Sequence, residues 1–103
     1  MLSTHVLDLG RGASAVGVPV ALYRIDTHGR TLIAQAHTDA DGRVGAPFGG
    51  KLTAGRYELV FSVGGAEQFY DEIAVRFYIE PGSTRCHIPL LLSPYGYSTY
   101  RGS

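Results

Sequence analysis

Two imidazoles, a guanidinium and a closing tetrapeptide are the groups of this sequence best suited to moving protons around a small carbonyl: His5, His87, Arg43 and Tyr100-Arg101-Gly102-Ser103. A neutral histidine near pH 7 can take a proton from water, and a second can return it. An arginine can polarise a carbonyl or grip a planar anion through two parallel donors. Such a set suits hydrolysis of a small amide or imide. In the closing residues an aromatic ring, a guanidinium, a glycine and a hydroxyl run straight into the last carboxylate. Chain ends are usually loose. This one follows the strongly patterned stretch Cys86 to Thr99, so an ordered, working terminus is expected.

These groups lie far apart along the chain, and only a fold can bring them together. Fourteen glycines punctuate short apolar runs at fairly even spacing, the pattern of a β-sandwich or barrel, and no helical period is sustained. Strands are predicted over Ser3 to Leu7, Pro19 to Ile25, Thr31 to Thr38, Arg56 to Val63, Ile73 to Ile79, Arg85 to Leu92 and Tyr97 to Arg101, with one more if Val44 to Pro47 pairs. Turn signals separate them, among them Asp26-Thr27-His28-Gly29, Asp39-Ala40-Asp41-Gly42 and Glu80-Pro81-Gly82-Ser83. Two packed antiparallel sheets are the expected architecture.

Alternation along the strands assigns their faces. Tyr57, Leu59, Phe61 and Val63 should face the core, with Glu58, Val60 and Ser62 opposite. In the first strand Leu2, Thr4 and Val6 share one face, and Ser3, His5 and Leu7 the other. Near the end, Cys86, Ile88, Leu90 and Leu92 form an unbroken apolar row, leaving Arg85, His87, Pro89 and Leu91 opposite. With Val6 and the Cys86 row inside, both histidines point outward beside a leucine. Such a surface is expected to be covered by another subunit.

Composition narrows the partners. The 103 residues are 45% hydrophobic, with nine Lys+Arg, nine Asp+Glu and no formal net charge. One small domain over residues 1–103 is expected, leaving roughly a third of its unfolded-chain surface wet, so self-association would help it. Neither a nucleic-acid footprint nor a basic membrane patch is indicated, and the partner is expected to be a small molecule or another copy. The lone cysteine, Cys86, cannot form an internal disulfide, which favours a cytoplasmic home. No apolar run approaches the ~20 residues of a membrane span, and Met1 to His5 does not read as a signal peptide.

Thr4-His5-Val6-Leu7-Asp8, Gly17-Val18-Pro19-Val20 with Leu22-Tyr23, Asp39-Ala40-Asp41-Gly42-Arg43 and His87 through Ser103 together resemble the 5-hydroxyisourate hydrolases, the transthyretin-like family of purine catabolism. The resemblance covers nearly the whole chain, and the Tyr-Arg-Gly-Ser end is what separates those enzymes from transthyretin itself. It implies an all-β, transthyretin-like sandwich of two four-stranded sheets, a homotetramer built as a dimer of dimers, and sites shared between subunits in a central channel. It also implies opening of the six-membered ring of 5-hydroxyisourate by water attack at a ring carbonyl, giving 2-oxo-4-hydroxy-4-carboxy-5-ureidoimidazoline without metal or organic cofactor. Carried onto this sequence, His5 and His87 become the acid–base pair, and Arg43 orients substrate and stabilises developing negative charge. Ser103 and its carboxylate complete the pocket, and Tyr100, Arg101 and Gly102 shape its wall.

The chain departs from that family in places. Ser14 and Cys86 stand where proline and tyrosine are common, and Arg85 stands near where many members have an extra histidine. Gly64-Gly65-Ala66-Glu67-Gln68 is too short for the brief helix the family places before Phe69, so a loop or single turn is expected. Taken singly, the same residues have plainer readings: incidental strand histidines, a solvated turn charge at Arg43, a frayed end at Ser103. His28 and His37 are expected to face solvent. Cys86, facing the core, is not expected to be a nucleophile, and the two histidines lack an obvious third ligand for zinc. A carrier of small hydrophobic ligands is the alternative from another class; it would lack both histidines and the Tyr-Arg-Gly-Ser end. A sandwich with no site is a third reading.

Overall fold

Alternating apolar runs and glycine turns resolve into nine strands and no helix in the computed structural model, which describes residues 1–103. They are β1 (Leu2–Asp8), β2 (Ala13–Ser14), β3 (Pro19–Asp26), β4 (Gly29–His37), β5 (Arg43–Val44), β6 (Gly55–Ser62), β7 (Glu72–Ile79), β8 (Cys86–Leu92) and β9 (Tyr97–Thr99). One sheet has the order β4-β3-β6-β7 and is antiparallel throughout. The other runs β2-β1-β8-β9, with β5 pairing the N-terminal half of β1. β1 and β8 are parallel along their whole length. A parallel pair needs a long crossover, and here the crossover includes the entire β4-β3-β6-β7 sheet.

A single cluster of 16 buried residues fills the space between the sheets. Leu2 and Val6 of β1, Tyr57, Leu59 and Phe61 of β6, and Ile88, Leu90 and Leu92 of β8 belong to it on the faces that alternation predicts, and Leu22 of β3 joins them. Each large apolar side chain buried this way stabilises by about 1.5–3 kcal/mol. Cys86 is half-buried against the cluster. Burial pushes its thiol above the ordinary range, so it stays protonated at neutral pH and acts as packing.

The differences from the expected strands have physical causes. The two-residue β2 makes the sheet that holds β1 and β8 five-stranded; it is too short to carry a pattern, and is held where Ala15 N–H donates to the Val6 carbonyl at 2.9 Å. The strand predicted to reach Arg101 stops at Thr99. Leu90 pairs with Thr99 and His87 bridges Gly102 in the same register, which sets Tyr100 opposite Pro89. Proline has no N–H to donate there, and the ladder breaks. Val44 to Pro47 contributes only Val44, joined by Arg43. Glu58 and Val60, predicted to face outward, are nonetheless buried, at 4% and 8% exposure; over Glu58 lie the side chains of Arg30 and Arg76.

Between Val63 and Phe69 no helical turn forms. Val63 and Gly64 both donate to the Asp71 carbonyl, at 3.0 and 2.9 Å, and Gln68 N–H turns back to the Gly65 carbonyl at 3.2 Å. The segment is a turn, as its length predicts. No helix of the chain is long and apolar enough to cross a membrane.

Candidate active site

The parallel register sets Ser3 opposite His87 and His5 opposite Pro89. Since both strands alternate, Ser3, His5, His87 and Pro89 share the outward face of the sheet. On the far side of β1, β5 brings Arg43 opposite His5. Three adjacent strands thus gather residues from both ends and the middle of the sequence. In the core behind them, the Thr4 hydroxyl donates to the Ile88 carbonyl at 2.5 Å and pins the register. Leu7 and Leu91, both half-buried, pair side by side on the same outward face as the histidines.

Arg43 is delivered by a turn that Asp39 shapes. Asp39 Oδ1 accepts the backbone N–H groups of Asp41 and Arg43, at 2.9 and 3.0 Å. The hydrogen bond from Arg43, then that from Asp41, hold this carboxyl below its usual range, with smaller help from the charges of Arg43 and His5. Gly42 completes the turn at φ 75°. A Cβ there would stand 2.7 Å from the Val6 carbonyl oxygen and 2.8 Å from Ser14 Cβ, so the position needs both the left-handed freedom and the small volume of glycine.

His87 sits in a mixed environment. Its Nδ1 lies 2.7 Å from Ser3 Oγ. Burial pushes its pKa down, the positive charges of Arg43 and His5 push the same way, and a hydrogen bond to the Ser3 backbone partly offsets them. The ring is therefore neutral at pH 7 and free to accept a proton. His5 Nε2 lies 3.4 Å from Ser14 Oγ, at the outer limit of a hydrogen bond. The exposed Arg43 guanidinium takes part in neither of the two ion pairs of the chain, both of which belong to Glu58. A free cation beside a neutral base can attract an electron-rich carbonyl and stabilise the oxyanion formed when water adds.

Of the predicted site residues, His5, Arg43, His87 and Gly102 come together. Gly102 N–H donates to the His87 carbonyl at 2.7 Å, and a Cβ on Gly102 would lie 2.7 Å from His87 Cδ2. Ser103 follows and is exposed. Tyr100 and Arg101 go elsewhere within one protomer: they line a cavity of about 150 Å³ with Val75, Phe77, Cys86 and Ile88. Cys86 and Ile88 point to the opposite side of β8 from His87, and the charge of Arg101 acts on Cys86. His28 and His37 are exposed. No third His, Cys, Asp or Glu converges on the histidine pair as a metal ligand.

Sequence reasoning missed Ser3 and Asp39. Ser3 shares its outward face with His5 by simple alternation, and Asp39 begins the turn that ends in Arg43, so both signals were present. Ser14, noticed only as standing in place of a proline, proves to be a neighbour of His5.

Two stacked sheets in this order define a transthyretin-like sandwich, with two histidines and an arginine on the outer face of one. The sequence model of the HIUase/Transthyretin family matches residues 2–102, and the chain belongs to that family. It is 44% identical to 5-hydroxyisourate hydrolase 2 of Rhizobium meliloti (strain 1021), over 99% of this chain and 95% of the relative. Identity to the 5-hydroxyisourate hydrolase of Deinococcus radiodurans is 42%, with the same coverage of 99% and 95%. These alignments span 114 and 113 positions against 103 residues here, so the relatives carry residues that this chain lacks. Among solved structures, 5-hydroxyisourate hydrolase from Klebsiella pneumoniae matches with a TM-score of 0.84 and 37% identity, covering 99% of this chain and 92% of that one. Transthyretin from Sparus aurata matches with 0.87 at 28% identity, covering 98% and 95%. Backbone likeness alone does not divide the enzyme from the carrier; the residues on the outer face have to do so.

Proposed function

We propose that the chain is a hydrolase of urate catabolism that opens 5-hydroxyisourate to 2-oxo-4-hydroxy-4-carboxy-5-ureidoimidazoline. The observation that carries this reading is the meeting of His5, Arg43 and His87 on one outward face; the named relatives supply the substrate. Neutral His87 takes a proton from water as the water oxygen bonds to a ring carbonyl carbon. Arg43 stabilises the negative charge that gathers on the carbonyl oxygen. The C–N bond of the six-membered ring then breaks, and the departing nitrogen takes a proton from the histidine pair. Water has been added across one C–N bond, leaving a carboxyl group and an N–H.

In this reading the histidine face lines a channel between protomers of a homotetramer, which the adjacent apolar pair Leu7 and Leu91 supports. Gly102 and Ser103 close the pocket over His87, and Tyr100 and Arg101 carry the chain there. Residues 1–103 act as one domain in the cytoplasm. The test uses substrate made freshly from urate by urate oxidase. Added protein should make it decay far faster than its spontaneous rate, and His5→Ala should remove most of the gain. Decay at the spontaneous rate overturns the reading and favours a carrier.

A further inference from the structure

The His87 ring is held along two edges and open at one corner. Ser3 Oγ lies 2.7 Å from Nδ1. The Gly102 backbone closes against the opposite edge, so tightly that a Cβ there would reach within 2.7 Å of Cδ2. Nε2 makes no hydrogen bond within the protein. Ser3 owes its place to the ladder itself, which fixes it directly opposite His87.

A neutral imidazole carries one N–H and one lone pair. Whatever Ser3 settles at Nδ1 therefore decides what Nε2 can do. A hydroxyl can give or accept. If it gives, the ring N–H stands at Nε2 and no lone pair is left for water. If it accepts Nδ1–H, the lone pair stands at Nε2, the ring nitrogen without a partner in the protein. Only the second arrangement leaves the open corner of the ring able to take a proton from water.

We propose that Ser3 is a positioning residue for the hydrolysis: its hydroxyl accepts Nδ1–H of His87, fixes that tautomer, and leaves the Nε2 lone pair facing the attacking water. Attack breaks a water O–H bond, forms the new C–O bond and protonates Nε2. The resulting imidazolium donates more strongly through Nδ1–H to Ser3, then gives the Nε2 proton to the departing nitrogen. The reaction and the tautomer chosen for it rest on the function proposed above; the Ser3–His87 contact does not.

The experiment compares the parent with Ser3→Ala and Ser3→Thr by nitrogen NMR of the histidine rings at alkaline pH, and by kcat/KM for 5-hydroxyisourate across pH. In the parent, Nδ1 of His87 should be protonated and Nε2 bare. Ser3→Ala should shift the ring toward the Nε2–H form and lower kcat/KM about tenfold, the scale of one hydrogen bond to a group that becomes charged. Ser3→Thr, which keeps the hydroxyl, should restore both. An Nε2–H ring in the parent overturns the proposal, as does an alanine variant with unchanged tautomer and rate. If the parent does not turn over 5-hydroxyisourate, the substrate assignment falls while the ring spectra still decide the tautomer.

Discussion

The two outer faces of the sandwich treat charge in opposite ways. On the β4-β3-β6-β7 sheet, Glu58 accepts from Arg30 Nη1 and Arg76 Nε at 2.7 Å each, and the Arg30 guanidinium lies 4.0 Å from the centre of the Tyr23 ring. The hydrogen bond from Arg76, and after it that from Arg30, hold the Glu58 carboxyl low despite burial. On the β1–β8 face, His5, Arg43 and His87 stand together without an ion-pair partner, and the Asp39 carboxylate beside them accepts from backbone N–H groups. A saturated charge cluster is a strut, because nothing in it is left to respond to a ligand. An unsaturated cluster is one whose groups remain free to respond to a ligand, and it is kept where chemistry needs it.

That contrast can be broken experimentally, most sharply at the histidine face. Arg43→Ala and His87→Ala should each lower kcat/KM for 5-hydroxyisourate by about 10²–10³-fold with little change in thermal unfolding; a loss of only a few-fold would make this face as structural as the other. Gly42→Ala should cost at least about 2 kcal/mol in denaturant unfolding, since an L-residue at its positive φ is strained and its Cβ would crowd the Val6 carbonyl. Glu58→Gln should reverse the pattern seen for Arg43. Stability should fall by about 1–2 kcal/mol, as charge-assisted bonds become neutral ones, while the rate is unchanged.

The smallest effect is in the pH dependence. His87 has its pKa lowered in the folded protein, so its basic form should persist below the ordinary imidazole value of about 6.5. The acid limb of kcat/KM is expected to lie beneath that value. In the unfolded chain the ring protonates first as pH falls. The contribution of His87 to stability is therefore intact above about pH 6.5 and is lost on acidification from there through the folded pKa. An acid limb above 6.5 would show that His87 is not the base.

Much of this was legible before any coordinates. Period-2 alternation put both histidines on the outer sides of their strands and the Cys86 row inside, because a half-buried strand writes its environment locally. It did not show that β1 and β8 are neighbours, still less that Ser3 meets His87, since that register is set by packing the intervening sheet. Pro89 was visible, yet its interruption of the β9 pairing at Tyr100 depends on which residue lies opposite. The burial of Glu58 escaped for a related reason: the two arginines over it come from β4 and β7, and no local pattern records such a lid.

Because β1 finds its partner in a segment made some eighty residues later on the ribosome, the face that holds both histidines is assembled only at the end of synthesis. A product cut short before residue 86 would keep His5 and Arg43 but leave one edge of β1 as bare, unpaired backbone. Such a fragment would be prone to aggregate, and on the function proposed above it would also lack the base, so turnover would report finished translation.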